Sequence, residues 1–206
     1  MSRIVDETAH ARTRDRILDA ARGLFASEGF HAASMNDVAQ ACELTKASLY
    51  HYFDSKQAIL AALHEQLVIE AEAHIQAFPR FQSLEEALRA AGRQYLEHFK
   101  DPRHRQMMQL TFKLGMHERG EDPAVVFDKQ RLDDQLLGLF IPYLGLETPI
   151  ERARLFAQQF FGSLFFYVFA AEQLCPMGSL CEPEVYLEQL VQTFAADPQA
   201  ALKGAS

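Results

Sequence analysis

Residues 43–56, ELTKASLYHYFDSK, crowd hydroxyl, imidazole and ammonium groups into one short stretch. Thr45, Lys46, Ser48, Tyr50, His51, Tyr52 and Lys56 all carry hydrogen-bond donors there. Nothing nearby turns them into a catalytic set. The chain shows no nucleophile–base pair, no Gly-rich phosphate loop and no carboxylate pair at a telling spacing, so no enzymatic activity is expected. Tyr and Ser hydroxyls donate to phosphate oxygens without needing net charge, and short polar side chains on a helix fit a nucleic-acid groove. The chemistry on offer is recognition.

The elements that must hold these groups follow from the flanking residues. Ser34, with Asp37 three residues on, predicts a capped helix at about Met35–Cys42 that buries Val38 and keeps the small Ala39 for a close crossing. Glu43-Leu44 makes a brief connection. Thr45, with Ser48 three residues on, caps a second short helix at about Lys46–Phe53, which buries Leu49 and Phe53. Asp54-Ser55 breaks it, and Ser55 caps a further helix running to about Ala77. Upstream, Ile17, Ala21, Leu24 and Phe25 form an apolar helical stripe from near Thr13, and Gly29-Phe30 predicts a Schellman stop. Two short helices joined by so short a turn predict a helix-turn-helix at 34–53, whose second helix enters the major groove of a DNA duplex.

Charge does not announce this. The net charge is −8, and residues 1–60 hold seven Lys/Arg against eight Asp/Glu. Any contact with DNA must therefore rest on where charges sit rather than on their sum. Arg12, Arg14 and Arg16 read as a solvated face that can also approach phosphates. The remaining residues, 61–206, carry 13 Lys/Arg and 20 Asp/Glu, an acidic surface that would keep DNA away from the rest of the chain.

Composition bounds the fold. Hydrophobic residues make up 49% of the 206, and Gly (10) and Pro (8) are sparse, which with the lack of alternating β-branched runs predicts an all-α protein. Helices are expected near 83–99, 103–117, 123–140, 149–174 and 183–196, about nine in all, with Pro102, Pro123, Pro142, Pro149, Pro176 and Pro183 in the breaks. The stretch Leu155–Leu174 is strongly apolar, but Gln158, Gln159, Glu172 and Gln173 interrupt it, so it reads as a buried bundle helix rather than a membrane span. The polar N-terminus does not read as a signal peptide. Cys42, Cys175 and Cys181 form neither a disulfide framework nor a metal cluster, and suit a reducing cytoplasm as ordinary thiols or, for the last two, as a redox pair. His64, His74, His98, His104 and His117 lack metal-ligand spacing. No metal or other cofactor is expected.

The run DVAQACELTKASLYHYFDSKQAIL resembles the N-terminal domain of the tetracycline-repressor (TetR/AcrR) family across 12–72, most closely at 34–60. The resemblance implies a three-helix DNA-binding domain at 12–72 and an effector-binding and dimerisation domain at 75–206. It implies that Lys46, Ala47 and Tyr50 meet bases and that Thr45 caps the recognition helix. Ser48, His51 and Tyr52 would meet phosphates or bases, Lys56 would grip a phosphate, and Ser34 and Asn36 would reach the backbone or a base edge. For Tyr50, His51 and Tyr52, plain helix packing is the alternative. Three departures stand out: Glu43 occupies a turn position usually held by Gly, Ala47 replaces a common Gly, and His51-Tyr52 inverts the usual order.

The same resemblance implies a homodimer through helices at about 149–174 and 183–196, bound to a pseudo-palindromic double-stranded operator and released from it, as a repressor, by a small, largely apolar effector. Tyr95, Phe99, Met108, Phe112, Met116 and Phe166 are the candidate pocket residues, each of which also reads as plain core. Two rivals stay open: a DNA-bound protein whose main partner is another protein, and a helical lipid carrier, which the apolar second half allows. No contact with a membrane is expected.

Overall fold

A computed structural model describes residues 2–117, 129–145, 147–173 and 181–196. Along the chain run α1 (Ser2–Glu28), α2 (Met35–Ala41), α3 (Lys46–Tyr50), α4 (Lys56–Gln76), α5 (Leu84–His98), α6 (Pro102–His117), α7 (Lys129–Leu144), α8 (Ile150–Gln173) and α9 (Pro183–Ala196). The protein is all-α, with no strand among the described residues. None of its described helices is long and apolar enough to cross a membrane.

Two compact units divide the chain, and the boundary falls inside α4: residues 1–69 with 102–127, and residues 70–101 with 128–206. In the first unit, Ile17, Leu18, Ala21 and Phe25 of α1 meet Val38 and Ala39 of α2, Leu49 of α3, and Ile59, Leu60 and Leu63 of α4. Met107, Leu110 and Leu114 of α6 complete this core. A boundary drawn at 72–75 from sequence assigns α6 to the second domain; the contacts group it with the first, because its apolar stripe packs there.

The second unit is built from α5, α7, α8 and α9. Phe140 of α7 sits among Phe156, Phe160 and Phe161 of α8, with ring centroids 5.6–5.8 Å away. Gly92 of α5 lets α9 come close: a Cβ there would fall 2.2 Å from Leu187 Cδ1. Arg89 of α5 donates to Glu188 of α9 at 2.8 and 2.9 Å and to Glu85 at 2.7 Å, tying the same pair of helices at the surface.

Most helix limits agree with the sequence reading to within a residue or two. Three differ. α3 ends at Tyr50, three residues short of the expected Phe53. α1 begins at Ser2 rather than near Thr13. Pro142 lies inside α7 instead of in a break. A helical proline removes one N–H and crowds the carbonyl four residues back, here that of Gly138. At two residues from the end of α7 little helix remains to disrupt, and Gly145, at φ +90°, makes the stop. Pro123, Pro176 and Cys175 lie outside the described residues.

Candidate nucleic-acid interface

The geometry at 34–53 starts with two caps. The Ser34 side chain accepts from Asp37 N–H at 3.3 Å, while an Asp37 carboxylate oxygen accepts from Ser34 N–H at 2.8 Å and from the Ser34 hydroxyl at 2.7 Å. This is a reciprocal capping box with Asp in the usual Glu place. The hydrogen bonds from Ser34 hold the Asp37 carboxyl below its ordinary value. Thr45 Oγ1 accepts from Ser48 N–H at 3.1 Å and lies 2.8 Å from Ser48 Oγ, so α3 starts on a firm cap.

Between the caps, α2 ends on a Schellman motif. Leu44 N–H reaches Ala39 O at 2.8 Å, Glu43 N–H reaches Gln40 O at 3.1 Å, and Glu43 sits at φ +56°. Glu43 is the one non-glycine with positive φ among the described residues. The stop at Gly29 is of the other kind, a single bond from its N–H to Phe25 O at 3.1 Å with φ +95°. The two-bond stop expected there thus occurs instead at the turn of the helix-turn-helix.

Capped at one end and anchored by fully buried Leu49, α3 turns Lys46, Ala47 and Tyr50 to solvent. Tyr50 is 43% exposed, and the Lys46 ammonium lies 6.0 Å from its ring centre. Thr45, Ser34 and Asn36 are also exposed, and Ser48 is half-buried. His51 is the exposed C-cap of α3. Tyr52 is half-buried and stacks on His10 of α1, ring centroids 4.5 Å apart, so packing claims one face of its ring.

The cations behave differently from the sequence expectation. Lys56 Nζ donates to Phe30 O at 2.7 Å, Ala33 O at 2.9 Å and His31 O at 3.1 Å. All three ammonium protons are engaged on carbonyls of the α1–α2 turn, where the sequence reading expected a phosphate. Arg16 Nη2 donates to Cys42 O at 2.9 Å, and the Arg14 guanidinium lies 5.2 Å from the Phe53 ring centre. Of the arginine face, Arg12 is the member left fully at the surface with no contact of this kind described. No sequence signal marked the Arg16–Cys42 or His10–Tyr52 contact, because both join residues far apart in the chain.

Two of the pocket candidates, Tyr95 and Phe99, lie side by side in the second unit. Tyr95 and Phe99 meet at 4.9 Å, and Tyr95 lies 5.5 Å from Phe161, with burial pushing the Tyr95 hydroxyl pKa well up. Met108 is buried in the other unit. Phe166 is 60% exposed, because on α8 it lies about 200° round the helix from fully buried Leu164. The side chains of Phe112 and Met116 lie outside the described residues. Cys42 is buried and donates from Sγ to Val38 O at 2.9 Å, and burial raises its pKa, the opposite of a reactive thiol. Among the described residues no group of three or more His, Cys, Asp or Glu could hold a metal ion.

Residues 17–63 match the family model described as bacterial regulatory proteins, tetR family. The HTH-type transcriptional regulator UidR of Escherichia coli K12 is 44% identical over 57 residues, 28% of this chain and 29% of that protein. The biofilm operon icaADBC HTH-type negative transcriptional regulator IcaR of Staphylococcus aureus Newman is 41% identical over 46 residues, 22% of this chain and 25% of that protein. The match therefore spans less than a third of the length of these curated relatives. Over the longer chain only the fold is shared. The fatty acid degradation regulator FadR from Bacillus halodurans superposes with a TM-score of 0.67 at 18% identity, covering 88% of this chain and 94% of that one. Salmonella enterica GusR gives 0.64 at 20% identity, covering 90% and 96%.

Proposed function

We infer that this chain, whose N-terminal segment belongs to the TetR family of bacterial regulatory proteins, works as a homodimeric repressor that reads a pseudo-palindromic duplex and lets go on binding a small, largely apolar effector. The observation that carries the reading is α3 itself. It is short, capped by Thr45, anchored by Leu49, and offers Lys46, Ala47 and Tyr50 outward from its first turns. Groups at the N-terminal end of a recognition helix are those that reach base edges. Ser34, Asn36, Ser48, His51 and Tyr52 are assigned to phosphates or neighbouring bases. The N–H groups that open α4 at Lys56 and Gln57 have no intrahelical partner and suit a phosphate in place of the Lys56 ammonium.

Dimerisation is assigned to α8 and α9. Phe166 and Val185 stand exposed on them, and Gly162 has open space where a side chain would be, room for a facing helix. Burying such groups against a second copy removes apolar area from water. Two recognition helices would then sit about 34–36 Å apart, one turn of duplex. The effector would bind in the second unit, with Tyr95 and Phe99 the best-supported lining pair, and would act by favouring a dimer with a different helix spacing.

The test is enrichment of duplexes from a random-sequence pool by the purified protein. A recovered two-fold-symmetric site, bound by two copies of the chain, is the expected result. Binding with no sequence preference, or by one copy alone, sinks this reading.

A further inference from the structure

We propose that Lys56 and Arg16 are positioning residues that clasp the backbone at the two ends of α2 and so set the recognition helix α3, with neither placing its charge on DNA. The inference rests on the DNA-binding reading above.

Two independent contacts carry it. At the leading end, the Lys56 ammonium meets three carbonyls, Phe30 at 2.7 Å, Ala33 at 2.9 Å and His31 at 3.1 Å, and lies 4.8 Å from the Phe30 ring centre. Ala33 directly precedes Ser34, the N-cap of α2. An ammonium has three donors and no more, so the set is complete. Moving Nζ to a phosphate would strip the carbonyls of Phe30 and Ala33, whose contacts are partly buried, and leaving such acceptors unmet is costly. At the trailing end, Arg16 Nη2 holds the carbonyl of Cys42, the C-cap of α2, at 2.9 Å. A cation at a helix C-terminus also faces the negative end of the helix dipole.

The seven residues of α2 are thus pinned at both ends by cations from α1 and α4. Only Glu43 and Leu44 then separate the Cys42 C-cap of α2 from the Thr45 cap, and both are fixed by the Schellman bonds to Gln40 and Ala39. No slack remains between the clasp and the base-reading groups. A shift of α2 becomes a shift of Lys46 and Tyr50.

A phosphate contact and a clasp leave different signatures. Removing a phosphate-bound cation weakens binding to all sequences alike and lowers the salt slope by about 1. Removing a clasp displaces α3, so it lowers discrimination and leaves the slope alone. The two cations also differ in what can replace them. A planar guanidinium cannot point donors at three converging carbonyls, whereas an ammonium can supply the single donor that Cys42 O needs.

The experiment measures affinity of the full chain for a duplex enriched by the wild-type protein and for a mixed-sequence duplex of equal length. Salt is varied over about 50–200 mM. Assays run at a temperature where circular dichroism shows every variant folded. Lys56→Met and Arg16→Met should each lose at least about tenfold for the enriched duplex, little for the mixed one, with unchanged slope. Lys56→Arg should fail to rescue, and Arg16→Lys should rescue most of the loss. A slope lowered by about 1 with discrimination preserved overturns the proposal in favour of phosphate contact. Unchanged affinity and slope, with only a lower melting temperature, overturns it in favour of plain scaffolding. If Lys56→Met does not fold, Arg16→Met and its lysine rescue decide by the same criteria. If the wild-type protein enriches no duplex, the DNA reading itself falls and this inference with it; if the wild type binds its duplex and the variants follow either overturning pattern, the clasp alone falls.

Discussion

His64 Nε2 on α4 lies 3.5 Å from Thr111 Oγ1 on α6, in the core that joins these two helices within the first unit. The imidazole is buried, and burial pushes its pKa down from 6.5 to about 4. The unfolded chain therefore takes up the proton at a higher pH than the folded chain does. This stabilisation is complete above pH 6.5 and is lost as pH falls toward about 4. Urea unfolding at pH 7.5 and at pH 4.5 should differ by about 2–3 kcal/mol from this group. His64→Gln should remove that part of the difference while leaving the share due to carboxylates. An identical pH dependence in the variant would show that His64 is not the titrating group.

Glu43 is held at φ +56°, where a side chain clashes with its own backbone. Glu43→Gly should raise stability by about 0.5–1 kcal/mol, the relief being partly offset by glycine's freedom in the unfolded chain. Glu43→Val should lower stability, since a branched Cβ fits this region worst. Thermal melts of the three proteins check the order.

Thr45 supplies the only side-chain cap described for α3, which is five residues long. Thr45→Ala should cost about 1 kcal/mol and weaken DNA binding, and Thr45→Ser should restore most of both. A Thr45→Ala protein with wild-type binding would mean that DNA itself orders the helix.

Lys46 and Tyr50 are assigned to the duplex by different chemistry. Lys46→Ala should lower both affinity and the salt slope, the latter by up to about 1. Tyr50→Phe should lower affinity while leaving the slope as it was, because a hydroxyl displaces no counterion. Sedimentation should show both variants in the wild-type oligomeric state.

Phe166 is exposed on α8, and its proposed partner is the second copy. Phe166→Glu should shift the protein to monomer without loss of helicity, since the side chain makes no part of the described core. A dimer of unchanged stability would move the interface elsewhere. Loss of the dimer should also abolish binding to a symmetric site, because half of it would go unread.

Much of this was legible in local chemistry. Ser34 with Asp37 and Thr45 with Ser48 announce two helix starts three residues ahead of the bonds that make them, and the structure contains both bonds. Leu49 at the centre of α3 is as buried as its spacing predicts. The turn at Glu43 was marked by the family resemblance alone, as a residue where those relatives usually carry Gly. These features depend on neighbours within four or five positions, and the sequence lists such neighbours directly.

The rest was decided by contacts across 23 residues or more. Lys56 reads as a free cation on a helix start until the α1–α2 turn brings three carbonyls to it. Arg16 reads as part of a solvated face until Cys42 is placed against it. α6 joins the first core, and Phe166 turns outward, for reasons of packing that periodicity alone leaves open. The sequence by itself determined most of the helices and the caps that start α2 and α3. Only the tertiary structure decided which charges remain available for a ligand, because a cation's partner is set by what folds within hydrogen-bond distance of it, and a one-dimensional pattern does not contain that distance.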